Sequence, residues 1–302
     1  MPHDFAAWMP SGDLLTTDEL IKIIKVAVEE GIDQIRLTGG EPLLRPDIVE
    51  IVSRISSIDD APKLSMTTNG LALAKLAKPL ADAGLRRINI SLDTLNKETF
   101  QKMTYRDRIE DVFAGIAAAK EAGLKPLKIN TVLMRGVNDG EAISLLKWAL
   151  SEGLNLRFIE QMPLDAGGIW DRTQLITADE IFTTLSREFE LTPVPHRGSA
   201  PAEEFYVNGT EATVGVIGSV TRSFCGACDR VRLTSDGQIR NCLFSMVETD
   251  LRTILRSDIS ESEKIESVRK MFHSTVAAKL PGHGINDPSF IQPIRPMSAI
   301  GG

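Results

Sequence analysis

Four times before residue 160 a helical stretch of this 302-residue chain is closed by glycine and followed at once by a short strand. The strands begin after Gly31 (G-I-D-Q-I-R-L-T), Gly84 (G-L-R-R-I-N-I-S-L-D), Gly123 (G-L-K-P-L-K-I-N-T-V) and Gly153 (G-L-N-L-R-F-I-E-Q-M). Lys63–Gly70 (K-L-S-M-T-T-N-G) adds a strand between the first two. Helix and strand alternating at this pitch require a parallel sheet with right-handed crossovers, an α/β fold whose site gathers at the carboxyl ends of the strands. Those ends carry Gly39-Gly40-Glu41-Pro42, Thr67-Thr68-Asn69-Gly70, Ser91-Leu92-Asp93, Asn130-Thr131 and Glu160-Gln161-Met162, a markedly polar set.

Local signals place the helices. Thr16 with Glu19 and Thr177 with Glu180 are spaced as capping boxes, and Leu20, Ile23, Ile24 and Ala27 form an apolar stripe. Pro79 predicts a kink or a split in the helix that starts near Leu71. The segment T-P-V-P-H-R-G-S-A-P-A-E-E reads as a linker or an extended edge, so a boundary at 205/206 divides the chain into 1–205 and 206–302. Thr213–Ile217 is expected to open the second unit, with a helix over about 261–278.

All three cysteines lie in the second unit, as C-x2-C-x13-C at Cys225, Cys228 and Cys242. Such a tight loop suits a [4Fe–4S] cluster with one iron lacking a protein ligand. Zinc requires a fourth donor such as His283, and three merely buried thiols are the remaining reading. Arg230 and Arg232 alternate with Val231 and Leu233, as on one face of a strand, and guanidinium groups beside a cluster suit phosphate or carboxylate. The net charge of -7 argues against a nucleic-acid surface, so an anionic ligand must rely on a local cluster of Arg and Lys. Three cysteines make no disulfide framework and point to a reducing, cytoplasmic compartment, and no apolar run is long enough to span a membrane. The terminal Gly301-Gly302 is either frayed or threaded into a crowded site.

Seven ordered segments carry a resemblance. They are C-x2-C-D-R-V-R-L-T-x2-G-x-I-x2-C, L-T-G-G-E-P-L-L-R, T-T-N-G, I-N-I-S-L-D-T-L, K-I-N-T-V-L-M-R-G-V-N-D, R-F-I-E-Q-M and the final G-G. Together they resemble, over the whole chain, the MoaA family of radical S-adenosylmethionine (SAM) enzymes in molybdenum-cofactor synthesis. The resemblance implies a partial (βα)6 TIM-like barrel, open on one side, with a smaller C-terminal iron–sulfur domain. It implies rearrangement of GTP to (8S)-3′,8-cyclo-7,8-dihydroguanosine 5′-triphosphate, started by a 5′-deoxyadenosyl radical from SAM that removes the ribose C3′ hydrogen. By the same resemblance Gly40, Ser91 and Met162 contact SAM. Arg36, Thr67, Lys128, Arg230, Val231 and Arg232 contact GTP, and Cys225, Cys228 and Cys242 hold a [4Fe–4S] cluster that binds the guanine. A homodimer, and transfer of product to a cyclic pyranopterin monophosphate synthase, are also implied.

One departure stands out. The family's C-x3-C-x2-C loop, which holds a second [4Fe–4S] cluster, precedes a Met-Pro that here is Met1-Pro2. The expectation is a chain without its first barrel strand, with an open sheet edge, inactive as it stands, whose targeting cannot be judged from Met1. Two other readings use the same residues: a non-catalytic nucleotide-binding protein that retains only the C-terminal cluster, and a zinc-stapled barrel with another small-molecule role.

Overall fold

The computed structural model describes residues 9–165, 168, 170–282, 284–287 and 290–301. The glycine-closed repeat is present as expected. Each of the four glycines has a positive φ, from 65° at Gly153 to 113° at Gly84, the left-handed turn that ends a helix without a Cβ penalty. The elements run α1 (Thr17–Glu29), β1 (Gln34–Leu37), α2 (Ile48–Ser56), β2 (Lys63–Thr68), α3 (Leu73–Asp82), β3 (Arg87–Ser91), α4 (Lys97–Thr104), α5 (Ile109–Glu121) and β4 (Leu127–Val132). Next come α6 (Ala142–Ser151), β5 (Asn155–Ile159), α7 (Ala178–Leu185), β6 (Leu191–Pro193), β7 (Glu203–Val207) and β8 (Thr213–Ile217). Both capping boxes form, at Thr16 and Thr177.

Strands β1 to β5 and β8 pair in parallel in that order, and β7 and β6 continue the sheet antiparallel. Neighbours in space that are neighbours in sequence, joined by crossovers of the usual right hand, put α1 to α7 on one face, which is barrel rather than doubly wound topology. The sheet does not close: among the described residues β1 pairs only with β2. Alternation along the strands sorts the faces. Leu64, Met66, Ile88, Ile90, Ile129, Leu156, Phe158, Val214 and Val216 join helix residues such as Ile51, Ile55, Leu80 and Ile116 in one core. The opposite face is polar.

Two expectations change. Helix α3 runs through Pro79 without a break, because the proline and Lys75, whose carbonyl loses its partner, both lie on the exposed face while Ala77 and Leu80 stay buried. Thr213–Ile217 is a member of the main sheet, paired with β5 and β7, so the sheet runs past the 205/206 boundary, which falls inside β7. Beyond β8 lie a three-stranded sheet of β9 (Arg232–Leu233), β10 (Gln238–Arg240) and β11 (Thr249–Asp250), then helices α8 (Arg252–Leu255), α9 (Glu261–Ala277) and α10 (Met297–Ile300). Helix α1 docks this part: Ile21 and Ile24 enter the main core, while Ile23 and Val26 pack with Ile239, Leu255, Val268 and Phe272. Among the described residues no helix is long and apolar enough to cross a membrane.

Two carboxylates, Glu41 half-buried and Glu160 buried, tie the strand exits together. Glu41 accepts from Thr68 Oγ1 at 2.6 Å and from the Asn69 and Leu43 N–H groups at 2.7 and 3.0 Å. Glu160, 1% exposed, accepts from the N–H groups of Ala178, Val220 and Thr221 at 2.7, 2.7 and 2.9 Å. Glu160→Ala strands these donors, so urea unfolding should show a loss of roughly 3 kcal/mol or more. Glu160→Gln, which keeps an acceptor oxygen, should lose less; equal stability of Glu160→Ala and the parent would show that the hub is dispensable.

Candidate functional site

The register puts one set of side chains on the polar face in cross-strand rows. Arg36, Ser65 and Arg87 form the first; Thr67, Asn89, Lys128 and Asn155 the second; Ser91, Asn130 and Arg157 the third. Short hydrogen bonds fix them: Asn89 Nδ2 donates to Thr67 Oγ1 at 3.1 Å, while Arg157 donates to Asn89 Oδ1 at 2.9 Å and to Asn130 Oδ1 at 3.1 Å. Arg157 is the residue that sequence reasoning missed. It is 6% exposed, and the signal for it is the period-2 spacing in L-R-F, a lone arginine between two apolar residues.

The C-terminal sheet brings Arg230 and Arg232 against this face. Val231 and Leu233 turn the other way, into the cluster around Ile239 and Phe272. Burial and neighbouring charge depress three of these cations. Desolvation, then the charges of Arg230 and Arg87, lower the Arg36 pKa; desolvation and then Arg36 bring Arg157 to about 10. Desolvation and then Arg230 bring Arg232 to about 10. Carboxylates barely intrude: Glu204 pairs with Lys128 at 3.2 Å and partly offsets the charge on Arg157. Arg230 stacks on the Phe224 ring, 4.9 Å from its centroid, with Arg197 also over that ring at 5.4 Å, and its buried Nη2 has no hydrogen-bond partner. Cations held together with an orphaned donor among them have the chemistry to take an anion.

Glycine and tail meet at its rim. A Cβ on Gly40 would lie 3.4 Å from the Ser298 carbonyl, and one on Gly301 would lie 3.0 Å from Thr38 Cγ2. Arg232 donates to the Gly301 carbonyl, and Arg295 holds the approaching segment through Asp236 at 2.9 and 3.0 Å. The tail is therefore threaded rather than frayed as far as Gly301; Gly302, like Met1, Pro2 and His283, lies outside the described residues. Met162 packs half-buried beside Ile300, Leu164 and Met297, and Ser91 is exposed at the end of β3.

The three thiols are free and half-buried. Among the described residues, no three Cys, His, Asp or Glu side chains stand converged as a metal-holding group. Their surroundings nevertheless fit thiolate ligands. Burial raises the Cys228 thiol, but the Arg230 N–H and charge, with Lys279, outweigh it and leave the thiol below its ordinary value. Cys242 and Cys228 in turn support the charge on Arg232, so both flank the same guanidinium.

Asp93, at the exit of β3, accepts from the Val132 N–H at 2.8 Å, yet desolvation outweighs that bond and pushes the carboxyl up to about 6. The native chain therefore binds this proton more tightly than the unfolded chain does, and stability falls as pH rises from the ordinary Asp range to about 6. Unfolding free energies from urea titration for Asp93→Asn and the parent should nearly coincide near pH 4 and separate by roughly 2 kcal/mol at pH 7, the variant being more stable. A difference that does not change with pH would remove the buried-carboxyl assignment.

Residues 4–149 match the Radical SAM superfamily, and residues 154–285 match Molybdenum Cofactor Synthesis C. The chain is 52% identical over 305 aligned positions to a "GTP 3',8-cyclase" of Streptomyces coelicolor, covering all of this chain and 88% of that one. It is 49% identical over 310 positions to a "GTP 3',8-cyclase" of Mycolicibacterium smegmatis, covering all of this chain and 84% of that one. Among solved structures, Streptococcus suis SuiB bound to precursor peptide SuiA aligns with a TM-score of 0.49 at 18% identity, over 57% of this chain and 39% of that one.

Proposed function

We propose, because the chain belongs to the GTP 3',8-cyclase family of radical SAM proteins of molybdenum-cofactor synthesis, that the cationic strand mouth is its GTP triphosphate site. The protein is a GTP 3',8-cyclase by family, a lyase that uses SAM and iron–sulfur chemistry. The observation that carries the site assignment is the convergence of Arg36, Arg157, Arg230 and Arg232, each of the first, second and last lowered by burial and by a neighbouring cation. A triphosphate relieves that repulsion and takes the free Nη2 of Arg230.

Roles follow from position. Arg230, Arg232, Arg36 and Lys128 grip phosphate, while Arg157, locked by Asn89 and Asn130, adds charge from below. Thr67, tied to Asn89, offers its hydroxyl to the nucleotide. Val231 packs in the neighbouring core, so its contribution is backbone alone. Gly40, Ser91 and Met162 line the exits of β1, β3 and β5, where backbone, hydroxyl and thioether are available to SAM. Cys225, Cys228 and Cys242 would hold the [4Fe–4S] cluster, which when bound supplies an iron free of protein ligand for the purine. The tail, seated against Gly40 and bonded by Arg232, excludes water from the same mouth.

Calorimetric titration of GTP into the anaerobically loaded chain tests this. Arg230→Ala should weaken GTP about ten- to a hundredfold, as expected for a lost charge-assisted contact, and should flatten the salt dependence. Unchanged affinity would take Arg230 out of the site.

A further inference from the structure

Lys279 follows α9 by two residues, and its half-buried ammonium donates two 2.7 Å hydrogen bonds, to the backbone carbonyls of Arg230 and Asn241. Arg230 is two residues beyond Cys228, and Asn241 immediately precedes Cys242. The Asn241 side chain returns a bond to the Ala278 carbonyl at 2.8 Å. The antiparallel pairing of β9 with β10 ends at Arg232 opposite Arg240, so no ladder bond holds the two segments together on the cysteine side of that pair. The ammonium spans the gap where pairing stops.

We propose that Lys279 is a positioning residue: by clamping the carbonyls of Arg230 and Asn241 it sets the separation of the Cys225–Cys228 loop from Cys242, and with it the geometry in which the three thiols take up a cluster. This rests on the cluster reading given above. The ammonium is bonded to neutral carbonyls rather than to a carboxylate, and a cation so placed beside the thiols favours the more negative, reduced form of a cluster held there. Lys279 also fixes the Arg230 backbone, so the same clamp orients the guanidinium whose Nη2 faces the anion site.

The test uses the full chain, purified without oxygen and loaded with ferrous iron and sulfide, comparing the parent with Lys279→Met, Lys279→Gln and Lys279→Arg. Iron and sulfide per chain, the visible absorption of the cluster and a dye-mediated redox titration are read, with circular dichroism and melting before loading. The parent should load. Lys279→Met should need about tenfold more iron for half-loading and should titrate at a more negative potential, while Lys279→Arg, whose guanidinium can still reach both carbonyls, should recover most of the loading. Lys279→Gln keeps a shorter, neutral amide donor group without the charge and should fall between them in loading but share the negative shift. Equal loading and potential for Lys279→Met and the parent overturns the clamp and leaves the cluster reading standing. A parent that takes up no iron and sulfide removes both. Loss of the fold before loading in both Lys279→Met and Lys279→Gln makes the lysine a fold residue and also overturns the proposal.

Discussion

Like charge held together against its own repulsion is the constraint on which this structure turns. Arg36, Arg157, Arg230 and Arg232 come from three different parts of the chain; burial first and neighbouring arginine charge second lower the pKa of Arg36, Arg157 and Arg232, with Glu204 as the principal carboxylate among them. In a chain of net charge -7, acidic partners were available, and the surface uses them: Arg54 with Asp18, Arg269 with Glu29 and Glu30, Arg256 with Glu19. Pairing each arginine of the mouth in the same way would have been more stable. Leaving them unpaired is what reserves their charge for a ligand.

Such an arrangement persists only on a frame that does not relax. The polar face cannot splay, because Arg157 is bonded to two asparagines on neighbouring strands and Asn89 is bonded onward to Thr67. The loops above it are fixed by carboxylates on backbone N–H groups: Glu41 across the exits of β1 and β2, Glu141 on the Leu95 N–H, Glu160 between α7 and the turn after β8. Asn138 adds bonds to the Asp93 and Val132 carbonyls. Each is an acid or amide beyond a strand end whose bonds tie neighbouring loops together, which restrains the mouth from relaxing.

Much of this was legible in residues read one after another. The four glycine-closed helices, the two capping boxes and the alternation in R-V-R-L are local signals, and the structure contains all of them. What was not legible depends on contacts between distant segments. Arg157 sits in a strand whose neighbours are apolar, and only the register against Asn130 shows that it faces the mouth. Lys279 matters through two carbonyls 49 and 38 residues away, which no spacing rule encodes. The linker-like run before Thr213–Ile217 breaks the helix–strand rhythm and points to a second unit, yet the strand pairs with β5 and β7. Pro79 does not split its helix, since the carbonyl it leaves without a partner faces outward on the exposed side.

If repulsion among these arginines is what the ligand relieves, stabilisation by ligand should follow the charge of the ligand. The most direct measurement is the melting temperature of the chain at low salt as GTP, GDP and guanosine are titrated in turn. The account predicts a rise that is largest for GTP, smaller for GDP and near zero for guanosine, and that shrinks as salt is added. Equal shifts for GTP and guanosine, or none for GTP at low salt, would contradict it.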